Sequence, residues 1–542
     1  MKNIYTLILV IVCHFAVAQN TDQEYDQLMS KFAREDGPGA VALIVKDGNV
    51  VYRKAFGMAN TELGVKLTPE HVFRIGSITK QFTASAILKL EEEGKLSVQD
   101  DITKYIKDFP THGYTITIEH LLTHSSGIKS YTGMADWTAE VRKKDFTPLE
   151  LIDFFKKEPM DFAPGTEFKY NNSGYFMLGH IIEVVSGKKY EQYLQDNFFV
   201  PLGMKNTYYD SPTRLINNRA AGYEKDGESF TNAPYLSMSQ PYAAGSLIST
   251  LDDLNTWYAA VMSSKVISQS SREKAHRPYV LSNGKKTGYG YGWGIGNIQG
   301  SPMIGHGGGI NGFLTASLYL PNDKLFVAVF TNCGCEGPGE VANKMAAVAI
   351  GKPFEWKKIA IADKAMEEYQ AVYTSVDDGD RVITYKEGKL FSMRTGGSRY
   401  EIFPYDKDKF YIEEGLTTLH FIRGAKNKIT SVIGRSTGMD VTWTRTDKPI
   451  PEMKEVALDD RYLEQYLGKY ELAPNFILSI FSEGDKLYAQ ATGQIKIAIV
   501  AVEKHKFALV NVDAKILFNF EGEKVVSLTL FQNGEHVAKK IE

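Results

Sequence analysis

Residues 73–82 read Phe-Arg-Ile-Gly-Ser-Ile-Thr-Lys-Gln-Phe, and this stretch decides the architecture. A β-like entry, Phe73 to Ile75, runs into Gly76, where a residue without a side chain lets the chain turn sharply. Ser77 follows, and Ile78, Phe82, Ala86 and Leu90 recur at helical spacing up to a stop at Gly94. The pattern predicts a buried helix from Ser77 to Glu93, with Ser77 at its first position. Lys80 then lies on the same face, one turn on, within reach of the serine hydroxyl. A buried helix start also presents backbone N–H groups to a negative charge developing beside it.

Ser-x-x-Lys is a weak signal by itself, because the chain holds five such pairs. Ser126/Lys129 falls in a Ser-Ser-Gly turn, Ser186/Lys189 straddles Gly187, and Ser282/Lys285 spans an Asn-Gly turn. Ser271/Lys274 sits in ordinary polar surroundings. Only Ser77 combines a sharp glycine entry with an apolar stripe that would hold it rigid.

Outward from this helix, strands flank helices. Val41 to Val45 and Val50 to Arg53 flank Lys46-Asp47-Gly48-Asn49, a hairpin signature. Leu314 to Leu320 and Leu325 to Phe330 flank Pro321-Asn322-Asp323 and form a second hairpin, followed by a predicted helix from Gly339 to Ile350. A helix is also expected from Ser173 to Val185. Strands at both ends with helices between them predict an α/β (α+β) domain, an antiparallel sheet with a helical insertion.

Two further motifs complete a possible site. Tyr170-Asn171-Asn172 lies in a loop just before the helix from Ser173, and His306-Gly307-Gly308-Gly309 lies just before the second hairpin. Ser-x-x-Lys, Tyr-x-Asn and Lys/His-x-Gly, in that order, resemble the penicillin-recognising serine hydrolases, on the branch of class C β-lactamases, DD-peptidases, D-aminopeptidases and esterases. Leu121 to Ile128 (LLTHSSGI), Ala243 to Leu254 (AAGSLISTLDDL) and Tyr289 to Trp293 (YGYGW) extend the resemblance over roughly residues 26–350. It implies Ser77, Lys80 and Tyr170 as catalytic groups, and Asn172, His306 and Gly308 on the substrate. It also implies an oxyanion hole from the N–H groups of Ser77 and Gly309. Lys286-Thr287-Gly288 is a literal Lys-Thr-Gly, but it precedes YGYGW in a turn-like stretch, so His306 is preferred. No cofactor and no metal are implied. The expected reaction is acyl transfer from an amide or ester of a small or peptide substrate, cell-wall derived or bearing a D-amino acid. A β-lactamase, a carboxylesterase and a penicillin sensor that acylates without turnover are the alternatives.

After Pro353 helical periodicity fades and short alternating strands take over. This tail reads as a duplication. Tyr369 and Tyr373 match Tyr466 and Tyr470, Lys389–Met393 matches Lys486–Gln490, the segment from Ile402 matches that from Ile499, and the segment from Leu419 matches that from Ile516. Each unit has the size of a small β-barrel. The expected organisation is a signal peptide at 1–18, a hydrolase domain at 19–355, and barrel-like all-β domains at 365–448 and 458–542, with a Pro-rich linker around Pro449 and Pro451. A catalytic domain with two such β-domains resembles the D-aminopeptidases of the branch. That likeness implies a tail loop that narrows the active-site entrance, with glycan or protein binding as the alternative role.

Lys2, the apolar run Ile4–Val12 and Ala16-Val17-Ala18 have the form of an export signal, too short to span a bilayer. An exported protein, periplasmic or secreted, is therefore expected. A formal net charge of -3 argues against a nucleic-acid partner, and no later run is long and apolar enough for a transmembrane helix. Beyond the signal only Cys333 and Cys335 remain. A bridge across one residue reads as geometrically awkward, so no disulfide is expected.

Overall fold

The computed structural model describes residues 21–376, 378–413, 415–451, 456, 463–473, 476–484 and 486–542. Residues 1–18, the expected export signal, and residues 452–455 of the linker lie outside them. The chain divides into two compact units, one reaching to Phe354 and including Thr437–Met439, the other comprising Glu355–Ser436 and Asp440–Glu542.

The first unit is built on a six-stranded antiparallel sheet. Its strands are β1 (Ala40–Lys46), β2 (Asn49–Phe56), β3 (Gly294–Ile298), β4 (Ser301–Ile310), β5 (Phe313–Leu320) and β6 (Leu325–Thr331), in the spatial order β3-β4-β5-β6-β1-β2. The two ends of the unit meet where β1 pairs with β6, for instance Val41 opposite Phe330. Side chains alternate across the pleat, so β1 faces two cores. Val41, Leu43 and Val45 point into the helical insertion, while Ala40, Ala42 and Ile44 pack on the opening helix (Tyr25, Met29, Phe32) and on the helix after β6 (Val341, Met345). The first hairpin turns at Asp47 and Gly48, both with positive φ (51° and 80°), as a two-residue Asp-Gly connection requires.

Three helices of the insertion bear on the site. They are α1 (Thr79–Glu92), α2 (Ile118–Leu122) and α3 (Asn172–Ser186). The expected helix from Ser77 is real, but the α-helix proper starts at Thr79. Gly76, Ser77 and Ile78 form a single 3₁₀ turn before it. Gly76 has φ +50° and the Ile78 N–H donates to Ile75 O at 3.2 Å, so the chain swings into α1 through a tighter turn. Eleven of the fourteen residues of α1 are buried, which anchors the turn that carries Ser77.

The second unit contains two closed eight-stranded barrels. One runs from Ala371–Ser375 to Val441–Arg445, the other from Gly468–Ala473 to Glu535–Lys540. The duplication is structural. Tyr373 and Tyr470 are fully buried, and each donates its hydroxyl to the carbonyl four residues earlier, Tyr369 O and Tyr466 O, at 2.8 Å in both cases. Ile402 lies opposite Leu390, as Ile499 lies opposite Leu487. A bulge follows at equivalent places, between Pro404 and Asp406 and between Ala501 and Glu503.

The cysteine expectation is corrected. Cys333 and Cys335 form a disulfide. Their Cα atoms are 5.2 Å apart, inside the ordinary range for a bridge, because the chain leaves β6 in a turn at Gly334, whose N–H donates to Tyr223 O at 2.8 Å. Among the described residues no helix is long and apolar enough to cross a membrane, and no cluster of three His, Cys, Asp or Glu could hold a metal ion.

Candidate active site

Ser77, Lys80, Tyr170, Asn172 and His306 come together between α1, the N-terminal end of α3 and strand β4. Lys80 is fully buried. Its Nζ lies 3.1 Å from Ser77 Oγ, 2.9 Å from Asn172 Oδ1 and 2.8 Å from Ala244 O. Burial disfavours a charge, so the Lys80 amine is held well below the ordinary lysine range. Its Nζ is also 4.8 Å from the Tyr170 ring centre and 5.4 Å from that of Tyr175.

Tyr170 stands at the rim with 40% of its surface exposed, while its phenol is turned towards Ser77. Burial of the hydroxyl raises its pKa above the usual tyrosine value, and the hydrogen bond with Ser77 offsets part of that rise. Asn172 opens α3. Its Nδ2 donates to Thr132 Oγ1 at 3.2 Å, which fixes the amide so that Oδ1 faces Lys80. Asn171 caps the same helix, its Oδ1 accepting from the Gly174 N–H at 2.9 Å.

His306 sits on β4 beside the crevice. Its Nδ1 faces Gly307 O at 2.5 Å, and its Nε2 faces the Tyr289 hydroxyl at 2.8 Å. A carbonyl can only accept, so Nδ1 carries the proton and Nε2 accepts from Tyr289. Burial, helped by the nearby Lys80, pushes His306 down to about 4, so the ring is neutral near pH 7. Strand β4 then passes close to the nucleophile turn. A Cβ on Gly308 would stand 2.0 Å from Ile75 O, and a Cβ on Gly76 would stand 2.9 Å from Gly309 N. Only glycines allow the Ser77 turn and the strand edge to approach this closely.

Lys286 of the alternative Lys-Thr-Gly is exposed in a turn region, where it is bridged to Val280. Two groups with no assigned chemistry in the sequence belong to the site. The Ala244 carbonyl takes one proton of Lys80, and buried His124 lies under Tyr170 with ring centres 4.2 Å apart. Both fall in stretches quoted above, AAGSLISTLDDL and LLTHSSGI. A motif match points to such a stretch without saying what a carbonyl or a buried ring does there.

A protein-family model described as Beta-lactamase matches residues 22–352. The chain is 28% identical over 438 residues to penicillin-binding protein 4* of Bacillus subtilis (strain 168), covering 75% of this chain and 95% of that protein. It is 29% identical over 328 residues to the D-aminopeptidase of Gluconobacter oxydans (strain 621H), covering 60% and 61%. Among solved structures it resembles the octameric penicillin-binding protein homologue from Pyrococcus abyssi, with a TM-score of 0.55, 26% identity and coverage of 96% and 99%. The D-amino acid amidase from Ochrobactrum anthropi SV3 shares the fold, with a TM-score of 0.53, 23% identity and coverage of 62% and 98%.

Proposed function

Because this chain belongs to the beta-lactamase family of serine hydrolases, we propose that Ser77 attacks the carbonyl carbon of an amide or ester in a small substrate, with short D-amino-acid peptides the favoured class. The observation that carries this reading is the set of three contacts at Lys80 Nζ. Asn172 Oδ1 and Ala244 O can only accept. A neutral amine has two N–H bonds and one lone pair, so those two acceptors take its protons. The lone pair then faces the Ser77 hydroxyl at 3.1 Å. Burial favours this neutral form of Lys80 and the protonated form of Tyr170.

In the reaction the Ser77 proton passes to Lys80 as Oγ bonds to the carbonyl carbon. The carbonyl oxygen becomes an oxyanion facing the N–H groups of Ser77 and Gly309, where one such donor is typically worth about 3 kcal/mol. As the bond to the leaving group breaks, Tyr170 protonates the departing nitrogen or oxygen, and Lys80 returns a proton to the phenol. Water then attacks the acyl-enzyme, losing its proton to the same pair, and Ser77 Oγ leaves protonated. Lys80 and Tyr170 act as one proton-sharing unit. Asn172 holds Lys80 and offers its amide to the substrate, and Gly308 keeps the strand edge open to a substrate backbone. A neutral His306 gives no fixed positive charge to a substrate carboxylate, which favours amides and esters over penicillins. Export through residues 1–18 would place the enzyme beside cell-wall peptides.

A panel of a D-alanine anilide, a D-Ala-D-Ala peptide, a short-chain ester and a chromogenic cephalosporin, each run beside Ser77→Ala, tests the reading. Turnover of the anilide or peptide, lost in Ser77→Ala, is expected. Full activity in Ser77→Ala overturns the mechanism, and turnover of the cephalosporin alone overturns the substrate class.

A further inference from the structure

His124 is buried at the heart of the site, yet no step above uses it. It follows α2 with φ +57°, a left-handed conformation that is uncommon for residues other than glycine. Its backbone carbonyl accepts the Lys169 N–H at 3.0 Å, and its ring Nδ1 accepts the Asn171 N–H at 3.1 Å. These two bonds grip the residues directly before and after Tyr170. The ring itself lies beneath the phenol side chain, 4.2 Å from the Tyr170 ring centre, with Tyr289 and Tyr175 at 4.7 and 5.1 Å.

We propose that His124 is a positioning residue, which holds the Tyr170 phenol against Ser77 by clamping the backbone on both sides of it. The inference rests on the Ser77 mechanism proposed above. An imidazole suits the task because Nδ1 must accept. The proton is therefore on Nε2, which has no hydrogen-bond partner and is closed in by aromatic rings. Protonating Nδ1 would set two donors against each other at the Asn171 N–H. It would also add a charge beside Lys80 and His306, and burial opposes that charge as well. The ring stays neutral and the clamp stays closed across the working pH range. An ordinary core side chain would fill the space but would leave the Asn171 N–H, which opens the helix carrying Asn172, without an acceptor.

The positive φ sets the choice of variants. Glycine and asparagine both tolerate φ +57°, and the Oδ1 of asparagine can occupy the place of Nδ1. Wild type, His124→Gly, His124→Asn and Ser77→Ala are compared on the best substrate of the panel, with thermal melting recorded for each. For His124→Gly, kcat is expected to fall about 30- to 100-fold with KM within about threefold, the size of a misplaced general acid. His124→Asn is expected to return to within about fivefold of wild type. A folded His124→Gly that keeps kcat within about threefold, or a His124→Asn that is equally slow, overturns the clamp. A purely structural role would lower the melting temperature of both variants without the asparagine rescue, and this too counts against the proposal. Activity that survives in Ser77→Ala overturns the underlying mechanism, whereas Ser77-dependent activity indifferent to His124 overturns this inference alone.

Discussion

Replacing His306 by lysine tests whether a neutral ring at this position sets the substrate class. With a pKa of about 4, the histidine carries charge in only about one molecule in a thousand at pH 7. Protonation begins only as the pH falls towards 4, so the wild type stays uncharged here from pH 8 to about 5.5. An ammonium at this place meets a penicillin carboxylate with a Coulomb energy of at most ~4 kcal/mol at 4 Å in a surface-like dielectric. Desolvation and repulsion from any proton on Lys80 remove part of it. A charge-assisted hydrogen bond of about 1.5–3 kcal/mol remains, equivalent to about 10- to 150-fold in binding or acylation rate. The substitution also deprives the Tyr289 hydroxyl of its acceptor at 2.8 Å, and leaving that buried group unpaired costs about 1–3 kcal/mol of stability. The assay is the second-order acylation of Ser77 by a fluorescent penicillin at pH 7.5 and pH 5.5, with melting temperatures measured alongside. The matching penicillin methyl ester, which has no carboxylate, serves as the control. His306→Lys should gain with the acid, gain nothing with the ester, and melt lower. Equal gains with acid and ester, or a wild-type rate that climbs steeply between pH 7.5 and 5.5, would refute the reasoning.

Gly308→Ala should lose most activity and melt lower, because its Cβ would stand 2.0 Å from Ile75 O and 2.3 Å from Thr315 Oγ1; Gly307→Ala, with its nearest contact at 3.5 Å, should remain near wild type in the same melting and turnover assays. Tyr170→Phe should lower kcat about 10²- to 10³-fold with little change in KM, as expected for a lost proton relay, measured under steady-state conditions. Reducing the Cys333–Cys335 bridge should leave both activity and melting temperature almost unchanged, since a loop closed over one intervening residue restricts the unfolded chain very little; a large drop on adding reductant would show that the bridge shapes the end of β6.

The sequence and the structure agree best where a side chain carries its own signal. Asp47-Gly48 can hardly be anything but a tight hairpin, and the apolar run Val41–Val45 marks a strand, which the structure extends to Ala40–Lys46 and buries on both faces. Paired tyrosines four residues apart mark both barrels, because the hydroxyl of the later tyrosine donates back to the carbonyl of the earlier one. Legibility fails where the backbone does the work. Nothing in Ala244 announces that its carbonyl accepts from a lysine 164 residues away. The 3₁₀ turn at Ser77 depends on how β4 approaches Gly76, a contact between distant segments that no local propensity encodes. The disulfide escaped for the same reason. Whether two cysteines flanking one residue can join depends on a turn held by Tyr223, far away in the chain.

The site is assembled from opposite ends of its unit. The nucleophile and its lysine come early, the tyrosine and asparagine midway, and the glycine-edged strand late. What joins them is the pairing of β1 with β6, which brings the last hairpin against the first. The β4–β5 ladder from Ile304 to Ile310 then places the glycine edge beside Gly76. The hydroxyl therefore meets neither an oxyanion-binding edge nor a general acid until this long-range pairing is complete, although Lys80, one turn away, is near it as soon as α1 forms. Local helix formation supplies the nucleophile and its base, but only the closed sheet can make the pair selective for a carbonyl substrate. For that reason Gly308 of β4, which bears no reactive group, should be as intolerant of substitution as the residues that move protons.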